Sequence, residues 1–211
     1  MSAFWTGAAA GYGIAIPVGA IAILIIETAM HRGFHPGFWA GAGAASADTL
    51  YALVAVVAGS IVTVELGKFA LPLQLLGGLA LVALGVAGLW KLRRQVPADA
   101  QSATAQVHAK TYTQFLGLTL LNPMTVVYFA ALILGGAAGT QISVGSRVLF
   151  VSGAGLASLS WQTLLAASAA LLHKRLPARV SHFISLAGNL IVLGFGLKIL
   201  LPLAAAATRG F

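Results

Sequence analysis

Apolar residues in this chain fall in long unbroken blocks, without the alternation of a half-buried strand or the one-sided stripe of a surface helix. Six blocks can be drawn, at about Phe4–Met30, Gly37–Ser60, Phe69–Trp90, Tyr112–Ala137, Gly145–Leu172 and Ser181–Leu203. A helix needs about 20 apolar residues to cross a bilayer, and each block supplies them. The pattern therefore predicts an all-α polytopic membrane protein with six transmembrane helices. The longest polar interruption, Lys91–Lys110, divides the blocks three and three. This gives a first three-helix repeat over 1–95, a cytoplasmic linker over 96–111 and a second three-helix repeat over 112–211. The first block lacks a positive leader and is too long for a signal peptide, so it is expected to stay as a membrane helix.

The two sets of three resemble one another. Gly41-Ala42-Gly43-Ala44-Ala45-Ser46-Ala47-Asp48 in the second block is echoed by Gly153-Ala154-Gly155-Leu156-Ala157-Ser158-Leu159-Ser160 in the fifth, with Ser160 standing where Asp48 stood. Pro17 in the first block has a counterpart in Pro123 in the fourth. Because three is odd, the second set would enter the membrane upside down relative to the first. That is an inverted-topology repeat, a frequent plan among transporters.

Composition narrows the class. Of 211 residues, 59% are hydrophobic and 8% charged, against about 25% charged in soluble domains, so a soluble domain is excluded. The net charge of +8 would suggest nucleic acid in a soluble protein. Here the basic residues lie between apolar blocks and no aromatic–basic platform accompanies them, so a nucleic-acid partner is not expected. Arg32, then Lys91, Arg93, Arg94 and Lys110, then Lys174, Arg175 and Arg179 occupy one set of connections, against Lys68, Arg147 and Arg209 on the other. The richer side is expected to be cytoplasmic, which puts both termini outside. There are no cysteines, which removes thiol redox chemistry and Cys-ligated metal centres.

Asp48 carries the strongest chemical signal. It is the acid nearest the centre of any apolar block. A carboxylate there costs on the order of 3 kcal/mol on insertion scales unless it faces water or a partner. It can hold a proton or meet a substrate ammonium. Pro17 and Pro123 each remove a helix hydrogen bond, freeing the carbonyls of Gly13 and Thr119. With Gly11, Gly13 and Gly19 around it, the first block is expected to bend or unwind at Pro17. Asn122 precedes Pro123, is biased away from helical backbone, and can serve a substrate or the broken chain. Tyr51, Trp161 and Gln162 either line a cavity or pack. Lys198 lies near enough to the outer end of its block to snorkel. Glu27 and His31, four apart, read as an interfacial pair. His31 and His35 have metal-pair spacing, but Gly33 and Pro36 interrupt the helix, so no metal site is expected and no cofactor is implied. The Gly-rich faces allow close helix contact and a possible homodimer.

Gly11–Pro17-Val18-Gly19, Gly33, Gly37, Gly41–Ala45, Ala47-Asp48, Tyr51 and Asn122-Pro123 together resemble the LysE family of amino-acid exporters, over nearly the whole chain. Two positions depart from that family's pattern. Ala20 replaces a second proline, which would make the first break milder, and Met124 replaces a basic residue after Asn-Pro. The resemblance implies a small bacterial inner-membrane secondary transporter, not an enzyme. It would export an amino acid or similar small zwitterion, driven by a gradient and coupled to a proton or another ion. The expected site is Asp48, Pro17, Gly13, Gly19, Asn122, Pro123, Ser160 and Tyr51. The alternative within the same superfamily is a cation or heavy-metal exporter.

Overall fold

A computed structural model describes residues 2–17, 19–68, 70–93, 105–122, 125, 126, 128, 129, 132, 143–173 and 178–209. Seven helices are bounded within them: α1 (Ser2–Ala15), α2 (Ala20–Arg32), α3 (Phe34–Lys68), α4 (Ala70–Arg93), α5 (Ala105–Leu120), α6 (Val144–His173) and α7 (Ala178–Arg209). No strand occurs among the described residues. Phe34–Val57, Val144–Leu172 and His182–Leu203 are each long and apolar enough to cross a bilayer, and the broken pair α1–α2 makes a fourth crossing if counted as one. Gln74–Trp90 in α4 is a shorter apolar stretch. The protein is thus a multi-pass helical membrane protein. The later part of the fourth predicted span lies largely outside the described residues, as do Pro123 and most of the predicted linker. The linker's end is helical, however, because α5 begins at Ala105, seven residues before Tyr112.

The first predicted span is two helices. Backbone around Pro17 is non-helical, and α1 and α2 meet at 78°. The chain thus turns sharply with a single proline between Gly13 and Gly19. Ala20 opens α2, with Gly19 in extended conformation before it. α2 stops where Gly33 takes φ 90°, a left-handed conformation that suits glycine, and its N–H closes on the Ala29 carbonyl at 3.0 Å. Pro36 and Pro72 fall in the first turns of α3 and α4, where a missing N–H costs little.

Helices from the two sequence halves interleave. α6 packs along both α1 and α3, α5 packs on α3, and α4 packs on α7. Glycine permits the closest of these approaches. A Cβ on Gly7 or Gly11 would run into the Phe150 or Ala154 carbonyl of α6, and one on Gly153 would meet the Phe4 carbonyl of α1. A Cβ on Gly43 would meet the Tyr112 carbonyl of α5. In each copy of the repeated motif, the other glycine faces the sister helix: Gly41 lies against Gln162 and Gly155 against Thr49. Small residues here let backbones touch, the usual basis of helix association in lipid.

Buried side chains form three clusters. One joins Ile25, Ala29, Ala40, Phe115 and Ala166 near the α2–α3 turn. A second joins Ala52, Phe129, Phe150 and Ala154. The third, Ala20, Ile23, Leu81 and Val192, ties α2 to the α4–α7 pair. Between that pair and the other helices the packing opens into a cavity.

Candidate functional site

The cavity holds about 570 Å³ and reaches both helix breaks. Gly13, Pro17 and Gly19 border it at the α1–α2 break, and Thr119 and Asn122 at the end of α5. Asp48 of α3 lies on its wall between them, and Gln162 of α6 beside it. The opposite wall comes from α4 and α7 and includes Gln74, Leu81, Phe195 and Lys198. A volume of this order suits a small organic solute.

Asp48 is 3% exposed and accepts a hydrogen bond from Ser158 Oγ at 2.6 Å. This is its one hydrogen bond among the described residues, and a carboxylate has room for several more. Its neighbours Ala44, Ala45 and Ala47 are buried alanines, so α3 and α6 approach closely enough for a serine to reach across. Ser160, expected among the site residues, does not border this cavity: its Oγ bonds the Ala157 carbonyl at 2.8 Å and shares a hydrogen bond with Tyr12 Oη at 2.9 Å on an exposed face. Two residues along a helix is about 200° of rotation, so Ser158 and Ser160 cannot both face α3.

Both breaks are held by tyrosines from the other half. α5 ends at Leu120 because Asn122 precedes a proline. The Asn122 N–H reaches back to the Thr119 carbonyl at 3.1 Å. Tyr51 Oη donates to the Leu120 carbonyl at 2.6 Å. Tyr51 therefore supports the site from behind and does not border the cavity. At the first break, Tyr128 Oη donates to the Ala10 carbonyl at 2.9 Å and sits where a Cβ on Gly13 would be. Gly13 is thus a seat for a tyrosine as well as the residue four before Pro17. Phe129 stacks on Tyr51 with centroids 5.7 Å apart and meets Tyr128 edge-on at 5.5 Å. One aromatic chain therefore links the two breaks. Tyr128 was not anticipated, because nothing in its immediate sequence marks it apart from its distance of a few residues beyond Asn122-Pro123.

Polar atoms without a protein partner also face this region. Gln162 Oε1 and Thr119 Oγ1 are buried and unpaired among the described residues. Lys198, expected to snorkel, is exposed and borders the cavity. Glu27 and His31 both turn to α7. Asn189 Nδ2 donates to Glu27 Oε1 at 2.6 Å and to the Ser185 carbonyl at 2.8 Å, and His31 Nε2 meets Ser185 Oγ at 2.6 Å. This polar clasp lies away from the cavity, toward the end of the bundle where α2 ends and α7 begins.

The carboxylate and the two breaks thus meet at one cavity. The profile of LysE type translocators matches residues 13–202. This chain belongs to the LysE type translocator family. A protein of Aeromonas salmonicida named "Putative amino-acid transporter YggA" is 31% identical over 194 residues, which is 90% of this chain and 91% of that protein. No solved structure matches. As a LysE type translocator the protein is a transporter rather than an enzyme, acting on a small solute at a membrane. The matched stretch contains every cavity residue named above.

Proposed function

We propose that this LysE type translocator exports an amino acid or a similar small zwitterion across the bacterial inner membrane. One feature carries the reading: among the described residues, the cavity that joins both broken helices is bordered by one carboxylate, Asp48, and one ammonium, Lys198. A zwitterion presents the matching pair of charges. Its ammonium would meet Asp48. Its carboxylate would meet Lys198 and the backbone N–H groups that open α2 at Ala20 and Ile21, where the helix dipole favours negative charge. A bare cation would gain from Asp48 but would be opposed by Lys198. The similarity to a protein named as an amino-acid transporter supports the same solute class.

Transport then needs the site to face each side in turn. The reading is of two inverted three-helix repeats, 1–95 and 112–211, with both termini outside; one helix of each, α4 and α7, forms the pair that rocks against the rest about the cavity. The packing supports it: α1 on α6 is the counterpart of α5 on α3, and α3 on α6 and α4 on α7 pair counterpart helices. Asp48 holds the substrate ammonium on the way out and a proton on the way back, so export is coupled to proton entry. Ser158 stabilises the charged form by donating to it.

Proteoliposomes carrying a proton gradient test this. Asp48→Asn keeps the size and the hydrogen-bonding capacity of the side chain but cannot alternate its charge. The expected result is loss of gradient-driven accumulation of labelled amino acid by at least tenfold. Unchanged accumulation would refute the coupling role.

A further inference from the structure

The cavity also says which amino acids fit, an inference that rests on the zwitterion reading above. Threonines in these helices usually turn back on their own backbone. Thr28, Thr49, Thr111, Thr113 and Thr163 each donate to the carbonyl four residues earlier, at 2.7 to 3.0 Å. Thr119 does not. It is 4% exposed, borders the cavity, and its Oγ1 has no partner among the described residues. Gln162 is 5% exposed, borders the same cavity, and its Oε1 is likewise unpaired. Buried polar atoms in native proteins are normally satisfied, so two orphans on one cavity wall point to a ligand.

Both lie close to the height of Asp48. Gln162 is one turn along α6 from Ser158, the residue that bonds Asp48, a rise of about 6 Å. α5 runs parallel to α3, since Ser46 meets Tyr112 and Tyr51 meets Leu120. Thr119 is therefore level with the stretch between Ser46 and Tyr51 that contains Asp48. Asp48, Gln162 Oε1 and Thr119 Oγ1 offer three acceptors, and a primary ammonium offers three N–H donors.

The rest of the wall excludes a second positive charge. Asp48 is the one carboxylate bordering the cavity among the described residues. Of the chain's other acids, Glu27 is engaged by Asn189, Glu65 is 17 residues further along α3, about 25 Å away, and Asp99 lies outside the described residues. Most of the remaining lining is apolar, with Ile14, Ile21, Leu81, Leu118, Phe195 and Ile199, and its other polar members, Gln74, Asn122, Thr125 and Tyr128, are uncharged. A cationic side chain there would be buried without a counter-charge, which is strongly unfavourable, and Lys198 would repel it.

We infer that Gln162 and Thr119 complete a three-acceptor ammonium site with Asp48, and that the cavity selects amino acids with an unsubstituted primary ammonium and an uncharged, apolar side chain. Binding of L-leucine, N-methyl-L-leucine and L-arginine to the purified full-length protein, read from ligand-dependent thermal unfolding, tests this. Leucine is expected to bind at least tenfold more tightly than either of the others. Ile199→Glu places a carboxylate on the side-chain wall and is expected to raise the arginine-to-leucine affinity ratio by at least tenfold. Arginine binding as tightly as leucine would overturn the side-chain selectivity and leave the amino-acid reading standing. N-methyl-leucine binding as tightly as leucine would overturn the three-acceptor site. Binding by none of the three, with no leucine export, would overturn this inference and the zwitterion reading together.

Discussion

A carboxylate at midspan is tolerated here because its surroundings are shared between protein and cavity. Asp48 receives one short hydrogen bond from Ser158 and keeps further acceptor capacity for whatever enters. Hydrogen bonds to charged groups contribute about 1.5–3 kcal/mol. Ser158→Ala should therefore lower the stability of the purified protein by about 1–2 kcal/mol while weakening substrate binding less than Asp48→Asn does. Comparing unfolding midpoints and binding curves of the two variants checks it. Tyr51→Phe should cost about 1 kcal/mol, because the Leu120 carbonyl loses its donor at a helix end that a proline prevents from continuing. At this scale the sequence was partly legible. Asp48, Gly13, Pro17, Gly19 and Asn122 stand out by residue type within apolar blocks and do meet at one cavity. Ser158 and Tyr128 did not stand out, and Thr119 and Gln162 stood out only for a freed carbonyl and a place on a cavity wall or in the packing, because a single serine, threonine, glutamine or tyrosine in an apolar helix is ordinary. Their roles depend on which side of the helix faces a neighbour from the other half, and no local pattern encodes that.

Among the helices, the decisive contacts are glycine against backbone. Gly11 of α1 lies on the Ala154 carbonyl of α6, and backbone cannot yield as a flexible side chain can. Gly11→Ala should force α1 off α6 and cost about 1–3 kcal/mol, the usual range for overpacking. Gly145→Ala should be close to neutral, since a Cβ there meets nothing within 4 Å. Thermal unfolding in one detergent distinguishes the pair, and equal effects would contradict the packing described. Helix positions were largely readable from the length of the apolar blocks. The depth of the first break was not. A proline predicts a kink, but a 78° turn between α1 and α2 also needs Tyr128 to fill the space beside Gly13. The clasp of Glu27 and His31 onto Asn189 and Ser185 was hidden for a similar reason. Spacing by four on α2 suggests a pair within the helix, whereas α7 supplies a nearer partner to each.

Taken whole, the bundle divides differently from its sequence. Each sequence half is continuous along the chain, yet the α4–α7 pair, one helix from each half, packs chiefly on itself and meets the other helices through α2 and part of α3. The cavity opens on one side of that junction and the Glu27–Asn189 clasp closes the other. Rocking of this pair against the rest would open one end as the other shuts, so the clasp should break whenever the cavity closes. Asn189→Leu leaves Glu27 without its donor and should shift the protein away from the conformation described here, seen as slower export with substrate binding altered less than threefold. The central claim is that water and substrate reach Asp48 from the cavity, and the absence of native cysteine makes it directly measurable. A single cysteine at Leu118, on the cavity wall, should react with a small water-soluble thiol reagent, and saturating amino acid should slow that reaction at least fivefold. A Leu118→Cys protein that does not react, or that reacts at the same rate with and without every amino acid tried, would contradict the account.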